Sequence, residues 1–424
     1  MKRVLVCSVM CWNKKTGSDT FSTLMQGYET DNIANIYIRE GHPDSDVCRN
    51  YYELSENAVI KSVLKRKTKT GKRIKTDGSN CEEGKENALA TAERYKKHQK
   101  NRSYCKLFAR ELLWKLGKWK TKELDAFLEE FKPDVVFFAM EGYIHFARMN
   151  RYILKKTGAK GIGYFWDDNF SYKKSKKLGY KIFRFFQRRS LKKLAKRCTN
   201  FFAISPKTKK EADETFGINC EILTKPIDFA NKPFEETILS TPLKMVYTGK
   251  LIIGRYDTIE LIGKALDEIN KDEVKIELDV YTMTEIEDTE KLSKYVHLKG
   301  AVPQTEVAQI QKNADILLFA EATEGEHCQA ARLSFSTKIT DYLGSGKCIF
   351  AVGNKDVAPM EYLRDEDGAI TAYDYDTVLA SLNDIANNPE LVKEYAKKAY
   401  DLGKRNHDKR IIQERLFGKF QEEK

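Results

Sequence analysis

The chain has 424 residues, 41% hydrophobic and 32% charged, so it carries apolar material for two or three buried cores and is not a disordered tail. Its net charge of +12 points to an anionic partner: nucleic acid, phospholipid or a phosphorylated substrate. Nine scattered cysteines without a CxxC pair argue against a disulfide framework and a zinc site, and for reduced thiols in the cytosol. No run approaches the roughly 18 apolar residues that would cross a bilayer.

The opening MKRVLVCSVMCWNKK is too short in apolar residues for a secretory leader and lacks a small-residue cleavage site. Residues 2–9 therefore read as a first β-strand. A polar loop with Gly17-Ser18 follows, then a helix from about Asp19. Residues 35–38 form a second predicted strand. Residues 61–100, including KRKTKTGKRIKTDGSN, are polar and basic and predict a loop inserted before a helix that runs to about Lys115. Strands are expected at 135–140, 161–166 and 200–204, with helices at 144–156 and 206–216 between them.

The alternation restarts after Pro226. A new first strand covers 243–247, and Gly249 precedes a helix over 258–269. Further strands fall at 274–281, 296–298, 316–319 and 348–352, and two charged helices begin near Pro389 and Asp408. Alternating strands and helices of this kind predict parallel sheets. The expected architecture is α/β: two Rossmann-like doubly wound domains, with a ligand cleft between them. The expected boundaries are 1–227, 228–400 and a helical tail over 401–424.

Phosphate chemistry concentrates in the second half. In LSFSTKITDYLGSGK, Ser336, Thr337 and Lys338 fall where a loop should meet a helix, and Asp341 lies one turn on. Hydroxyls, helix-terminal N–H groups and an ammonium suit a diphosphate, and a carboxylate suits ribose hydroxyls. Plain capping of the helix by Ser336 is the alternative. Gly249, Lys250 and Arg255 follow the first strand of that half, where a glycine admits a ligand to the backbone and a guanidinium grips phosphate in a fork. The spacing is neither GxGxxG nor a P-loop.

On these residues the second half resembles the donor domain of GT-B glycosyltransferases, particularly the family 4-like group. The matching pieces are YTGKLIIGR, LKGAVPQTEVAQIQKNADILL and STKITDYLGSGKCIFAVG. The resemblance implies a nucleotide-sugar donor bound by Gly249, Arg255, Ser336, Thr337 and Lys338, with Asp341 on the ribose. One departure stands out. The family's pair of glutamates spaced by seven residues is not intact: Asp341 fills the second place and Leu333 the first. That puts retaining stereochemistry in question. The resemblance implies no cofactor beyond the donor and no metal.

Sugar transfer needs a base for the acceptor hydroxyl. Two segments at predicted strand ends supply candidates. Asp167 and Asp168, the preferred candidates, are adjacent carboxylates, where like charge should lift one pKa; capping of the following helix is the alternative for either one. Glu141 and His145 are four apart and are expected to share a helical turn. Gly17 and Ser18 are expected on the acceptor side. The stretch from Lys173 to Arg197 has no acidic residue, and Leu178, Ile182, Phe185, Phe186, Leu194 and Ala195 recur at helical spacing. It reads as an interfacial helix on anionic lipid.

The resulting expectation is a cytoplasmic, membrane-peripheral glycosyltransferase that moves a sugar, carried on UDP, to a lipid-linked or polysaccharide acceptor in cell-surface polysaccharide biosynthesis. Two alternatives compete: a nucleotide-sugar epimerase of the same architecture, and a basic α/β protein associated with nucleic acid. No nucleic-acid-binding motif supports the latter.

Overall fold

The computed structural model describes residues 1–13, 20–76, 103–230, 232–286 and 289–423. The chain divides into two compact units. Unit 1 holds Met1–Ile204, Thr208–Leu223 and Gln413–Lys424; unit 2 holds Ser205–Lys207 and Thr224–Ile412.

In unit 1 the strands are β1 (Val4–Ser8), β2 (Ile33–Tyr37), β3 (Asn50–Leu54), β4 (Gly71–Lys75), β5 (Val135–Ala139), β6 (Lys160–Phe165), β7 (Asn200–Ala203) and β8 (Cys220–Ile222). Among the described residues up to 216 the α-helices are α1 (Thr20–Met25), α2 (Glu56–Lys61), α3 (Tyr104–Leu116), α4 (Lys122–Phe131), α5 (Ile144–Thr157), α6 (Leu178–Ala195) and α7 (Pro206–Phe216), the first two residues of α7 belonging to unit 2. The sheet order is β4-β3-β2-β1-β5-β6-β7-β8, parallel except for the β3–β4 pair. Every residue of β1, β2, β5 and β6 is buried, as strands covered on both faces require.

Part of the expected loop over 61–100 is a strand instead. Residues 71–75, GKRIK, pair antiparallel with β3 and close the sheet edge. Gly71 lies against the ring of Tyr52, whose hydroxyl would stand 2.2 Å from a Cβ. The lysines and arginine of β4 face solvent, which blunts an edge that would otherwise pair with another chain. Polar composition hid this strand, because an edge needs few apolar residues.

Unit 2 is built from β9 (Leu243–Thr248), α8 (Arg255–Ile269), β10 (Ile276–Tyr281), β11 (Val296–Gly300), α9 (Gln304–Lys312), β12 (Ile316–Ala320), α10 (Glu326–Ala331), α11 (Thr337–Leu343), β13 (Cys348–Val352), α12 (Ala358–Asp365), β14 (Ile370–Ala372), α13 (Tyr375–Asn387) and α14 (Glu390–His407). Its sheet is all parallel in the order β11-β10-β9-β12-β13-β14. Its core joins Met245, Tyr247, Ile262, Leu278, Leu318 and Phe350. A last helix, α15 (Lys409–Gln421), contributes its start to unit 2 and its remainder to unit 1. In unit 1 its Phe417 and Phe420 pack on Tyr28 at 5.0 and 5.7 Å.

Both sheets reverse strand order once in their doubly wound part, between β1 and β5 and between β9 and β12. A doubly wound sheet opens a crevice at that reversal, beyond the carboxyl ends of the strands. In unit 2 the β9–β12 pairing stops at Val246 and Leu317, so the strands part before they end. No helix among the described residues is long and apolar enough to cross a membrane.

Candidate active site

Three of the donor-side candidates, Gly249, Arg255 and Lys338, lie near one another at the crevice of unit 2. Gly249 follows β9 directly, and a Cβ there would lie 1.8 Å from Lys338 Nζ. The ammonium of Lys338 also sits 4.9 Å from the centre of the Tyr247 ring. Burial, then the neighbouring Arg255 charge, brings its pKa down to about 8, while Glu321 opposes the shift. Arg255 opens α8 behind Gly254, which adopts φ +76°. Its guanidinium is forked onto Glu321, with Nη2 2.7 Å and Nε 3.3 Å from the carboxylate oxygens. Glu321, buried at the carboxyl end of β12, balances one of two cations. The remaining charge, beside a glycine and at the start of a 15-residue helix, is suited to accept a diphosphate.

A cavity of about 960 Å³ extends from this point. Its lining includes Gly249, Lys250, Thr282, Val302, Lys338 and Asp341, but not Arg255, Ser336 or Thr337. Ser336 is the N-cap of the short helix α11: its hydroxyl accepts from the Lys338 N–H at 3.3 Å. Thr337 is the first helical residue, and its carbonyl accepts from Thr340 at 2.7 Å. Asp341 faces the cavity, paired with Lys225 at 2.5 Å. Lys250 is exposed, and its carbonyl accepts the Tyr247 hydroxyl at 2.9 Å.

Three polar contributors here escaped sequence reasoning. Glu321 holds Arg255, Lys225 holds Asp341, and Gln311 Nε2 donates to Thr248 Oγ1 at 3.0 Å on the cavity wall. Glu321 left one signal: it is a charged residue immediately after the apolar run of β12.

In unit 1, β5 and β6 are neighbours with Ala139 opposite Tyr164. Two residues further on, Glu141 comes level with Trp166 and stands beside Asp167. Burial, reinforced by the Asp167 charge, raises the Glu141 pKa to about 7, against the pull of Arg39, the Gly142 N–H and the Trp166 side chain. A carboxyl balanced near neutrality is matched to proton transfer.

The two carboxylates that are neighbours in sequence accept from different N–H groups. Asp168 is fully buried, and its Oδ1 accepts from the Ser171 N–H at 2.9 Å, so it shapes the turn after β6. Arg184 Nη2 secures the same turn through the Asp168 carbonyl at 3.4 Å. Asp167 Oδ1 accepts from the Asp168 N–H at 2.7 Å. The carboxylate whose charge raises Glu141 is Asp167, which follows the end of the neighbouring strand β6.

Glu141 and His145 do not share a helical turn, because α5 begins only at Ile144. His145 is buried, stacked on Trp114 with ring centres 4.3 Å apart. Its Nδ1 meets Glu111 Oε1 at 3.0 Å, and Glu111 also accepts the N–H groups of Ile144 and His145. A carboxylate from α3 thus caps the start of α5 with the imidazole as part of the clasp. Burial holds that imidazole below the usual histidine range. Gly17 and Ser18 lie outside the described residues.

No protein-family model and no curated protein matches the sequence. Solved structures do match in fold. Anabaena Alr3699/HepE in complex with UDP matches with a TM-score of 0.61 at 11% identity, over 99% of this chain and 99% of that one. Sucrose-phosphate synthase from Thermosynechococcus elongatus matches with a TM-score of 0.59 at 10% identity, over 99% and 98%. An α,α-trehalose-phosphate synthase (UDP-forming) from Burkholderia xenovorans matches with a TM-score of 0.58 at 8% identity, over 99% and 100%. The chain therefore has the GT-B fold, with two Rossmann-like domains.

Proposed function

We propose that this chain is a glycosyltransferase that takes a sugar from a nucleotide-sugar donor, with UDP as the carrier. The observation that carries the reading is the cation pair of Arg255 and Lys338 converging beside Gly249 and Tyr247 at the strand-order reversal of unit 2. A diphosphate placed there meets the Lys338 ammonium and the Arg255 guanidinium that Glu321 holds in place. Asp341 receives the ribose once Lys225 yields it. The Anabaena and Burkholderia structures, one holding UDP and the other named as UDP-forming, support the choice of nucleotide.

Unit 1 supplies the base. Glu141 takes the proton of the acceptor hydroxyl, the acceptor oxygen forms its bond to the anomeric carbon, and the bond from that carbon to the diphosphate breaks. The charge left on the diphosphate is met by Arg255 and Lys338. Attack helped by a separate base corresponds to inversion at the anomeric carbon. No cofactor beyond the donor enters this scheme.

The acceptor in this reading is a lipid-linked sugar or glycan presented at the cytoplasmic membrane face, in the assembly of a surface polysaccharide. Helix α6 supports it. Its inner face buries Phe183, Leu191 and Leu194, whereas Leu178, Ile182 and Phe185 remain 72%, 46% and 52% exposed. These three recur at i, i+4 and i+7 on a helix without acidic residues, a pattern suited to anionic lipid. The apolar positions of α6 are thereby divided: Leu194 and Ala195 belong to the core, whereas Leu178, Ile182, Phe185 and Phe186 remain exposed.

Calorimetric titration with UDP, GDP, CMP and ADP sugars tests the donor, and mass analysis of products with and without a lipid-linked acceptor tests the transfer. Binding of UDP-sugar with transfer is expected. Conversion of the donor without any acceptor would favour an epimerase, and no nucleotide binding would end both readings.

A further inference from the structure

Helices α5 and α6 run parallel on one face of the unit 1 sheet, since each connects neighbouring parallel strands. Two contacts fix their register. The Gln187 side chain donates to the Gly142 carbonyl, and Ser190 Oγ donates to the Ile144 carbonyl at 3.5 Å. Arg197 lies two residues past the end of α6, and its charge reaches Arg151 on α5. The backbone agrees: the Arg197 carbonyl and the Leu154 side chain both approach Gly161, at 3.0 and 3.1 Å from a Cβ built there. Arg148 lies one turn before Arg151 on α5.

Three guanidinium groups thus gather along this groove. Arg148 and Arg151 are half-buried, and Arg197 is exposed. Arg148 Nη1 and Arg151 Nε are shielded from water and donate to nothing among the described residues. Arg151 feels the charges of Arg148 and Arg197, and burial together with those charges lowers its pKa. Buried donors on a charged group are costly to leave unpaired, and like charges add repulsion. An arrangement with both features becomes favourable when an anion binds, and guanidinium forks match the tetrahedral oxygens of phosphate.

We propose that Arg148, Arg151 and Arg197 form a phosphate-binding site on unit 1, separate from the diphosphate site of unit 2. Its ligand is a phosphate monoester or diphosphate, presented either by a lipid headgroup or by a soluble molecule. The site stands on its own residues and does not depend on the chain being a glycosyltransferase.

The test uses the full chain in a Lys338→Met background, which removes the buried cation of unit 2. Arg148→Gln/Arg151→Gln is compared with Lys192→Gln/Lys193→Gln, a pair on α6 with the same loss of charge. Binding is measured to inorganic pyrophosphate by calorimetry, and to phosphatidylcholine vesicles with and without phosphatidic acid by flotation. The arginine pair should weaken binding to at least one probe by about tenfold, and the lysine pair by much less. A pyrophosphate response alone identifies a soluble ligand, and a phosphatidic acid response alone identifies a headgroup. Arg197→Gln, at an exposed position, should reproduce a smaller loss in a protein of unchanged melting temperature. Equal losses in both pairs, or no binding of either probe by the parent, would overturn the site.

Discussion

The ammonium of Lys338 occupies the space in which a side chain on residue 249 would begin, 1.8 Å from the Cβ position of Gly249. Glycine at the end of β9 is therefore a condition for the lysine to enter the crevice at all. Gly249→Ala should displace the ammonium and lower UDP affinity about tenfold, the scale of one lost charge-assisted contact. Lys338→Met should do the same. Because both changes remove one interaction, the double variant should bind no more weakly than either single variant. Additive losses by calorimetry would show that the two residues act separately.

Burial and the Arg255 charge bring Lys338 down to about 8, so its charge state changes within an accessible pH range. An anionic nucleotide binds the ammonium form. Its affinity should hold below pH 8 and fall as pH rises beyond it, approaching about tenfold per pH unit. Lys338→Arg, which stays charged, should flatten that limb between pH 7.5 and 9.5. A slope that persists in the arginine variant would place the titration elsewhere.

Glu141 carries the opposite signature. Its folded-state pKa is raised to about 7, from an ordinary value of 4.5, by burial and then by Asp167. Its contribution to stability is fully present below about 4.5 and is lost as pH rises through 7, an effect on the order of 1–3 kcal/mol after allowance for partial exposure. Glu141→Gln should lose less melting temperature than the parent over that interval. It should also cut turnover by about 10²–10⁴ with little change in UDP affinity. In Asp167→Asn the acidic limb of the rate profile should move to lower pH, since one of the two causes of the shift is gone. A limb that stays in place would exclude Glu141 as the base.

His145 is expected to matter for stability and not for turnover. Its imidazole is stacked on Trp114 and bonded to Glu111, which caps α5. His145→Ala should cost about 2–4 kcal/mol in denaturant unfolding, through a cavity beside Trp114 and the loss of one hydrogen bond to Glu111. Turnover per folded molecule should remain near that of the parent.

Leu178, Ile182 and Phe185 are exposed, so Leu178→Ser/Ile182→Ser/Phe185→Ser should leave unfolding within about 1 kcal/mol of the parent. The same variant should lose most of its binding to anionic vesicles at moderate salt, because the lysines and arginines that remain are screened. Undiminished flotation would leave α6 without a role at lipid.

The order of strands and helices was legible in the sequence because each buried strand leaves a local apolar run, as β5 and β12 do. Gly249, Arg255 and Lys338 drew notice as a glycine directly after a strand and as basic residues at helix starts, features that a doubly wound sheet places at its opening. What the local pattern does not record is which ends become neighbours. Glu141 feels the Asp167 charge because β5 and β6 pair with Ala139 opposite Tyr164, whereas the carboxylate of Asp168, adjacent to Asp167 in sequence, turns to the Ser171 N–H. Arg255 meets Glu321, and Arg151 meets Arg197, across distances of 66 and 46 residues along the chain. Helical periodicity likewise marked α6 as amphipathic, but only packing against α3 and α5 decided that Phe183 is buried and Phe185 is not. Burial within one element is a short-range property of sequence. The meeting of charges is set by strand order and helix register, which exist only once the chain has folded.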